Sequence, residues 1–507
     1  MKVLIYEDEK WRDLLPLTFI KACFEIRCGY SMLIDKIMAV VPEGEKGLWV
    51  RDYIKPLVSK RYNLPTNDNA FFNDDIIFVN GRWLPSLEDK ISLSEEKIVR
   101  SKENIIYGLV RKETVCKFWD GDITKFISNI KDDLKTEEKQ TRFINYPWDL
   151  IIYNPDVLRE DFKMYGKKGI KGEMHSMAVI VGDKEAVYIE EGAKVHPFVV
   201  LDTTGGPVYI DKDAEIFPSA RIEGPCYIGK KTQIMPGANI REGNSFGDVC
   251  RIGGEIEESI FYSYSNKYHD GFIGHSYIGE FVNLGALTTN SDLKNDYSSV
   301  SVYLNGKPRD TGNLKVGSFI GDHTKTSIGT LFNTGTIAGL MCNITAGAIL
   351  PKYFPSFTWY VNNKFMKGYG LDMMINTART VMERRKRIWL KEEEDAIRAA
   401  YEMTEEERKE AIKKSRKISK EGRKRREYKE IEARVKKVIA EVLGVDEEKI
   451  TSESRFVEDL GAESVQSLEL VAAFEDEFDI EMEEDAALQV KTVGKAVEFI
   501  QRHLQEK

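Results

Sequence analysis

The sequence predicts a multidomain protein with a mixed α/β domain over residues 1–170, a left-handed parallel β-helix over 171–365, a charged helical linker over 366–430 and a four-helix bundle over 431–507. Three observations predict it: a six-residue period of branched apolar side chains through the centre, their abrupt loss from about residue 370, and helical apolar spacing from Ile431 onward. The length of 507 residues also asks for about three cores rather than one. With 42% hydrophobic residues and no apolar run near the roughly 20 that a membrane helix needs, no membrane insertion is expected. The start MKVLIYEDE goes straight into a strand-like run and acquires acidic residues, unlike the basic start and long apolar stretch of a secretory signal, so the expected location is cytoplasmic. Six cysteines (Cys23, Cys28, Cys116, Cys226, Cys250, Cys342) are scattered without CxxC or Cys/His spacing, which predicts free thiols and no metal centre.

In the N-terminal part, short apolar runs (VLIY at 3–6, DIIFVNGRW at 75–83, WDLIIYN at 148–154) alternate with helical patterns, as in an α/β domain. After the first run comes YEDEKWRDLLPLTFIKACFEIRCG (6–29), with no glycine before Gly29. A triphosphate cradle needs bare backbone N–H groups and basic side chains. Only the second requirement is visible, in Lys10, Arg12, Lys21 and Arg27, with Glu7 or Asp8 as potential Mg²⁺ ligands.

The central period runs Ile189, Val195, Leu201, then Ile210, Ile216, Ile222, then Ile228, Ile234, Ile240, and again Ile320, Thr326, Phe332, Ala338, Ile344, Leu350. Four residues after most of these stands a small side chain, including Ala193, Ala214, Thr232, Ala238, Thr324, Cys342 and Ala348. A branched residue every six positions fills the axis of a three-sided prism, and the small one fits where a face turns onto its neighbour. A β-sandwich would instead alternate at period two. The breaks at 202–209 and 290–312 read as loops thrust out from the prism.

Only six histidines occur, and His269, His275 and His323 fall in or beside these coils. His269, FIG (272–274), YIG (277–279) and VNLGALT (282–288) follow one another without a gap. This segment resembles the acetyltransferase half of the bifunctional N-acetylglucosamine-1-phosphate uridyltransferases, where a histidine precedes two short coils and V-N-I-G-A-G-T. The resemblance implies a trimeric hexapeptide acyltransferase with His269 as general base. It makes Asn283 a substrate or acyl-donor contact. Histidine suits the role because its reference pKa lies near neutrality. Asn266, Lys267, His275, Asp292, Lys294, His323 and Lys325 complete the expected substrate-binding set, since amides, ammonium groups and imidazoles supply donors to sugar and phosphate oxygens. Asp270 and Gly271 depart from the small hydrophobic and hydroxyl residues that follow the histidine in that family, so the acceptor differs. NSDLKNDY and GDHTKT resemble instead a branch of sugar nucleotidyltransferases. The N-terminal domain stands where these bifunctional enzymes carry nucleotidyl transfer, yet lacks their GxGTRM loop.

Beyond residue 370, residues 413–429 hold ten Lys or Arg against two Glu, and residues 451–485 hold thirteen Asp or Glu against Arg455. The basic run holds a single aromatic, Tyr428 near its end, and is broken by Gly422, so no nucleic-acid partner is expected. FVEDLGAESVQSLELVAAFEDEFDIEM (456–482) resembles the acyl carrier proteins, with D-L-G-x-D-S-L before an acidic helix. That resemblance makes Ser464 the attachment point of 4′-phosphopantetheine, with a phosphopantetheinyl transferase and an acyl-loading enzyme as partners. Glu463 replaces the family's Asp. The expected function is acyl transfer from the chain's own carrier to an amine or hydroxyl of a sugar-phosphate or sugar-nucleotide-like acceptor. The alternatives are sugar-1-phosphate nucleotidyl transfer and a trimeric, non-catalytic scaffold presenting a carrier.

Overall fold

The computed structural model describes residues 1–86, 88–346, 350–482 and 489–506, and the side chains of Ser464 and of several residues between 418 and 423 lie outside that description, as does Ala348 of the small-residue column. The chain divides into two compact units, residues 1–412 and 413–507, described separately below.

The first unit begins with a six-stranded sheet in the order Glu45–Trp49, Lys2–Tyr6, Ile76–Asn80, Asn104–Val110, Lys97–Ser101, Thr136–Glu138. Its first three strands are parallel, and Asn104–Val110 runs antiparallel to both neighbours. Both faces are buried, which is why Ile76–Asn80 reads as an unbroken apolar run rather than as alternation. The helix Pro147–Tyr165 closes the domain, with Pro147 at its first turn and Gly166 in the left-handed region (φ 60°) at its end.

The solenoid strands run from Gly169 to Met366 in three parallel sheets of ten, six and six strands, joined at the C-terminal end by short further pairings. In the ten-stranded sheet the interior column passes through Ile189, Ile210, Ile228, Phe246, Phe261, Ile278, Ile320, Ala338 and Phe354. Every one of these is fully buried, as the six-residue period requires. In the second sheet the column reads Val195, Ile216, Ile234, Ile252, Lys267, so a lysine occupies an axial position. The interruption at 290–312 carries a hairpin, Ser301–Leu304 with Lys307–Asp310. It does not stand free: Val300, Val302 and Leu304 enter the N-terminal domain's core, and Asn305 donates to Asp13 at 2.8 Å.

The N-terminal domain packs on the outer face of the ten-stranded sheet through the segment that follows its first strand. Residues 16–30 are buried throughout. The Arg27 backbone N–H donates to Tyr277 Oη at 2.9 Å, Lys21 pairs with Glu280 and Asp322, and the Ser245 hydroxyl donates to the Gly29 carbonyl.

The second unit holds most of a helix, Glu405–Leu443, that begins in the first, followed by helices Ser464–Phe478 and Val493–Glu506. Val435, Ile439, Leu470, Phe474, Val497 and Ile500 form its core. Arg434 bridges from the first of these helices to Glu477 at 2.7 Å. Among the described residues no helix is long and apolar enough to cross a membrane.

Candidate functional site

Of the solenoid's five histidines, the three predicted as site residues meet three different environments, set by the coil corner each occupies. His269 follows the axial Lys267 at a corner and is exposed. Its ring lies edge-on against Tyr268, with centroids 5.0 Å apart, and makes no hydrogen bond among the described residues. Gly271 (φ +124°) lets this corner close, because a Cβ there would stand 2.3 Å from the Thr288 carbonyl oxygen. Lys267 is wholly buried, and its ammonium donates to the carbonyls of His269 and, at 2.9 Å, of Asp270. Burial pushes its amine down to about 8. The expected substrate contact is therefore corrected: Lys267 braces the backbone that carries His269 and faces the prism axis.

His275 is held by two carboxylates, Nδ1 2.7 Å from Asp292 and Nε2 3.5 Å from Glu258. Burial alone would lower its pKa, but the hydrogen bonds to Asp292 and Glu258 prevail and raise it to about 9. It is an imidazolium at neutral pH, so both it and Asp292 are already engaged with one another. A folded-state value above the usual 6.5 means that its stabilisation is complete below about pH 6.5 and disappears as pH rises through 9. That shift corresponds to roughly 3 kcal/mol. The unfolding temperature should fall between pH 7 and 10 in the native protein, and His275→Gln should flatten that slope; calorimetry across this range checks it.

Glu257, Glu258 and His275 place three ligand atoms within 4.8 Å of one another. Arg241 and Lys315 neutralise Glu257 at 2.9 and 3.1 Å, leaving little negative charge to attract a cation. Sequence reading missed this group because Glu257, His275, Asp292 and Lys315 come from separate coils.

His323 is buried, stacked on Phe281 at 5.2 Å, and burial holds its pKa well below the ordinary range. It is a neutral packing residue here, which corrects the substrate-binding expectation. Lys325 donates to the His323 carbonyl at 3.0 Å, and burial lowers its amine to about 8. Lys294 caps its own loop through Ser298 at 3.1 Å and the Ser299 carbonyl at 2.5 Å. Asn266, Asn283 and Lys325 do come together, lying side by side on adjacent coils, with Asn266 Nδ2 donating to Asn283 Oδ1 at 2.7 Å. They present a row of amide and ammonium donors on the sheet that leads to the His269 corner.

In the N-terminal domain the expected phosphate and Mg²⁺ groups are engaged elsewhere. Glu7 is buried and bound by Arg51 at 2.6 Å and by the Cys23 N–H at 2.8 Å; burial raises its pKa despite the guanidinium. Asp8 takes both ends of the Arg82 guanidinium, at 2.8 and 2.6 Å. Lys10 pairs with Glu103 at 2.8 Å, Arg12 stacks over Trp11 at 5.0 Å, and Lys21 is buried against Asp322 and Glu280. Of these, Arg12 alone is exposed without a carboxylate partner, so the expected phosphate set does not assemble.

In the second unit, Gly461 (φ +71°) turns the chain into the helix Ser464–Phe478, whose first turn carries no acidic residue. The expected exposure of the Ser464 hydroxyl lies outside the described residues. Val465 and Leu468 on the same helix are exposed, 68% and 48%. Beside them a cavity of about 280 Å³ is lined by Phe456, Ser467, Leu470, Phe474 and Phe499.

Residues 433–500 match the phosphopantetheine attachment site family model, and residues 3–169 match the sugar nucleotidyl transferase model. The acyl carrier protein of Phenylobacterium zucineum (strain HLK1) is 54% identical over 71 residues, 14% of this chain and 90% of that protein. Through its C-terminal domain the chain belongs to the acyl carrier protein family. The carrier domain's helix start fits 4′-phosphopantetheine: Ser464 is the first residue of the helix, where the positive end of the dipole favours a phosphodiester against the acidic N-cap Glu463. When bound, the group supplies a thiol that holds an acyl chain as a reactive thioester. The chain thus joins a sugar-nucleotidyltransferase domain, a β-solenoid and a carrier domain.

Proposed function

We propose that this protein is an acyltransferase of the hexapeptide type, acting as a homotrimer on a sugar-phosphate or sugar-nucleotide-like acceptor and drawing its acyl group from Ser464 of its own carrier domain. The observation that carries the reading is the contrast among the histidines. Of His269, His275 and His323, it is His269 that combines exposure with an imidazole free of carboxylates among the described residues, whereas His275 is bound to two of them and His323 is buried. A base must hold its lone pair open to the acceptor.

In this reading Asn266, Asn283 and Lys325 orient the acceptor through its oxygens. His269 removes the proton from the attacking amine or hydroxyl as the new bond to the acyl carbon forms. His269 then returns that proton to the departing sulfur as the C–S bond breaks. Lys267 keeps the His269 carbonyl, and with it the ring, at a fixed height on the corner. The cavity beside the Ser464 helix suits an apolar acyl cargo. Carriage on one chain raises the donor's effective concentration to the mM range.

Nucleotidyl transfer is the weaker reading, because Glu7, Asp8 and Lys21 are each tied to a buried or part-buried partner. The test is intact-mass spectrometry of full-length protein treated with a phosphopantetheinyl transferase and acyl-coenzyme A. The native chain should gain the acyl-pantetheinyl increment and lose its acyl part on addition of a sugar-phosphate acceptor. Ser464→Ala should gain nothing; an increment that persists in that variant refutes the assignment.

A further inference from the structure

A buried arginine that makes no salt bridge among the described residues, its guanidinium 5.9 Å over the Tyr227 ring, sits at the seam between the N-terminal domain and the solenoid. Arg27 is 6% exposed, yet no carboxylate among the described residues lies within ion-pair distance. Its Nη1 donates to the Tyr30 carbonyl at 2.6 Å, while its Nε is buried with no partner. The Tyr30 hydroxyl, on a residue 4% exposed, is likewise buried and unpartnered. Both line one cavity of about 430 Å³. Buried charges in proteins are normally paired, because an isolated one forfeits several kcal/mol of hydration. Arg27 Nε and the Tyr30 hydroxyl are thus two buried groups at this cavity that a bound ligand would satisfy.

The rest of the lining narrows its chemistry. Lys212 and Lys230 reach the cavity from successive coils, exposed and without a salt bridge among the described residues. In the same lining, Asp35 accepts from the Met32 N–H at 3.0 Å and Asp248 from the Lys230 N–H at 3.0 Å, each with its other oxygen unengaged. Lys167 and Glu190, also in the lining, pair with each other at 2.6 Å, which leaves Arg27, Lys212 and Lys230 to select an anion such as phosphate. Asp211 also lines the space but is engaged by the Tyr227 hydroxyl at 2.8 Å and the Lys212 N–H at 2.7 Å, whereas Asp35 and Asp248 would repel a bare anion and instead accept hydrogen bonds from hydroxyl groups.

We propose that this cavity binds a phosphate ester of a polyhydroxylated ring compound, with Arg27, Lys212 and Lys230 on the phosphate and Asp35 and Asp248 on hydroxyls. It lies on the ten-stranded sheet's outer face, away from the second sheet's corner that carries His269, and does not depend on the acyl-transfer reading. Its position between two domains makes ligand occupancy a brace for their junction.

Hydrogen-exchange mass spectrometry of the full chain, titrated with glucose 1-phosphate and separately with inorganic phosphate, tests it. Glucose 1-phosphate should protect peptides covering residues 27–35 and 209–230 saturably. Protection in the Lys212→Ala/Lys230→Ala double variant, which alters only exposed side chains, should need about tenfold more ligand. Protection should survive His269→Ala, separating this cavity from the acyl-acceptor site. No protection at those peptides, or an unchanged titration in the double variant, overturns the proposal. Inorganic phosphate protecting as well as the sugar ester overturns the role given to Asp35 and Asp248.

Discussion

Replacing His269 with alanine is expected to slow acyl discharge from the carrier by a factor of about 10² to 10⁴, the range typical of a lost general base. Loading of Ser464 should be unchanged, because that step depends on the second unit and an external enzyme. The size of the effect follows from the environment. Neither of the two other histidines of the 269–323 stretch can take over: His275 is already protonated by its carboxylates, and His323 is sealed beneath Phe281. His269→Gln should fare no better, since an amide fills the space and donates but cannot carry the proton. Single-turnover discharge, followed by mass on pre-loaded protein, separates the chemical step from loading; a loss of less than tenfold would leave His269 without the assigned role.

The second large effect concerns stability. Lys21→Met is expected to destabilise the first unit by about 3–5 kcal/mol, the usual cost of removing one partner from a buried ion pair. Lys21, Asp322 and Glu280 are each less than a tenth exposed, and the lysine ammonium is 3.4 Å from Glu280 and closer still to Asp322. The carboxylates hold the Lys21 ammonium charged, raising its pKa against the pull of burial. Without it, Asp322 and Glu280 face each other unneutralised at the domain junction. Lys21→Met combined with Asp322→Asn should recover part of the loss, since one uncompensated charge disappears. Because a chain of several domains need not unfold in one step, the comparison is made on the calorimetric transition of the first unit. A Lys21→Met variant as stable as the native protein would contradict the buried-pair account.

These two residues show why the fold was more legible than the site. The six-residue period reveals the prism because axial burial repeats along the chain and constrains residue type at each coil. It fails between Ile240 and Ile320, where successive column members stand fifteen, seventeen and forty-two residues apart, as in Phe246 to Phe261, Phe261 to Ile278 and Ile278 to Ile320. Lys267 falls in this stretch, so nothing in the sequence marks it as axial. The carrier helix was legible because D-L-G and the serine that follows are contiguous. Lys21 was not, because its partners stand some 260 and 300 residues away and become neighbours only when the N-terminal segment packs on the prism. Lys10 and Lys21, after a first strand, look like parts of a phosphate cradle. Burial and pairing decide otherwise, and neither is a local property.

The claim on which the rest depends is that acyl group and base act within one assembly. Acyl discharge should therefore be first order, with a rate constant unchanged when loaded protein is diluted about a hundredfold at saturating acceptor, since tethering fixes the donor's effective concentration. A rate constant that falls in proportion to dilution, or recovers only when a separate enzyme is added, would contradict it.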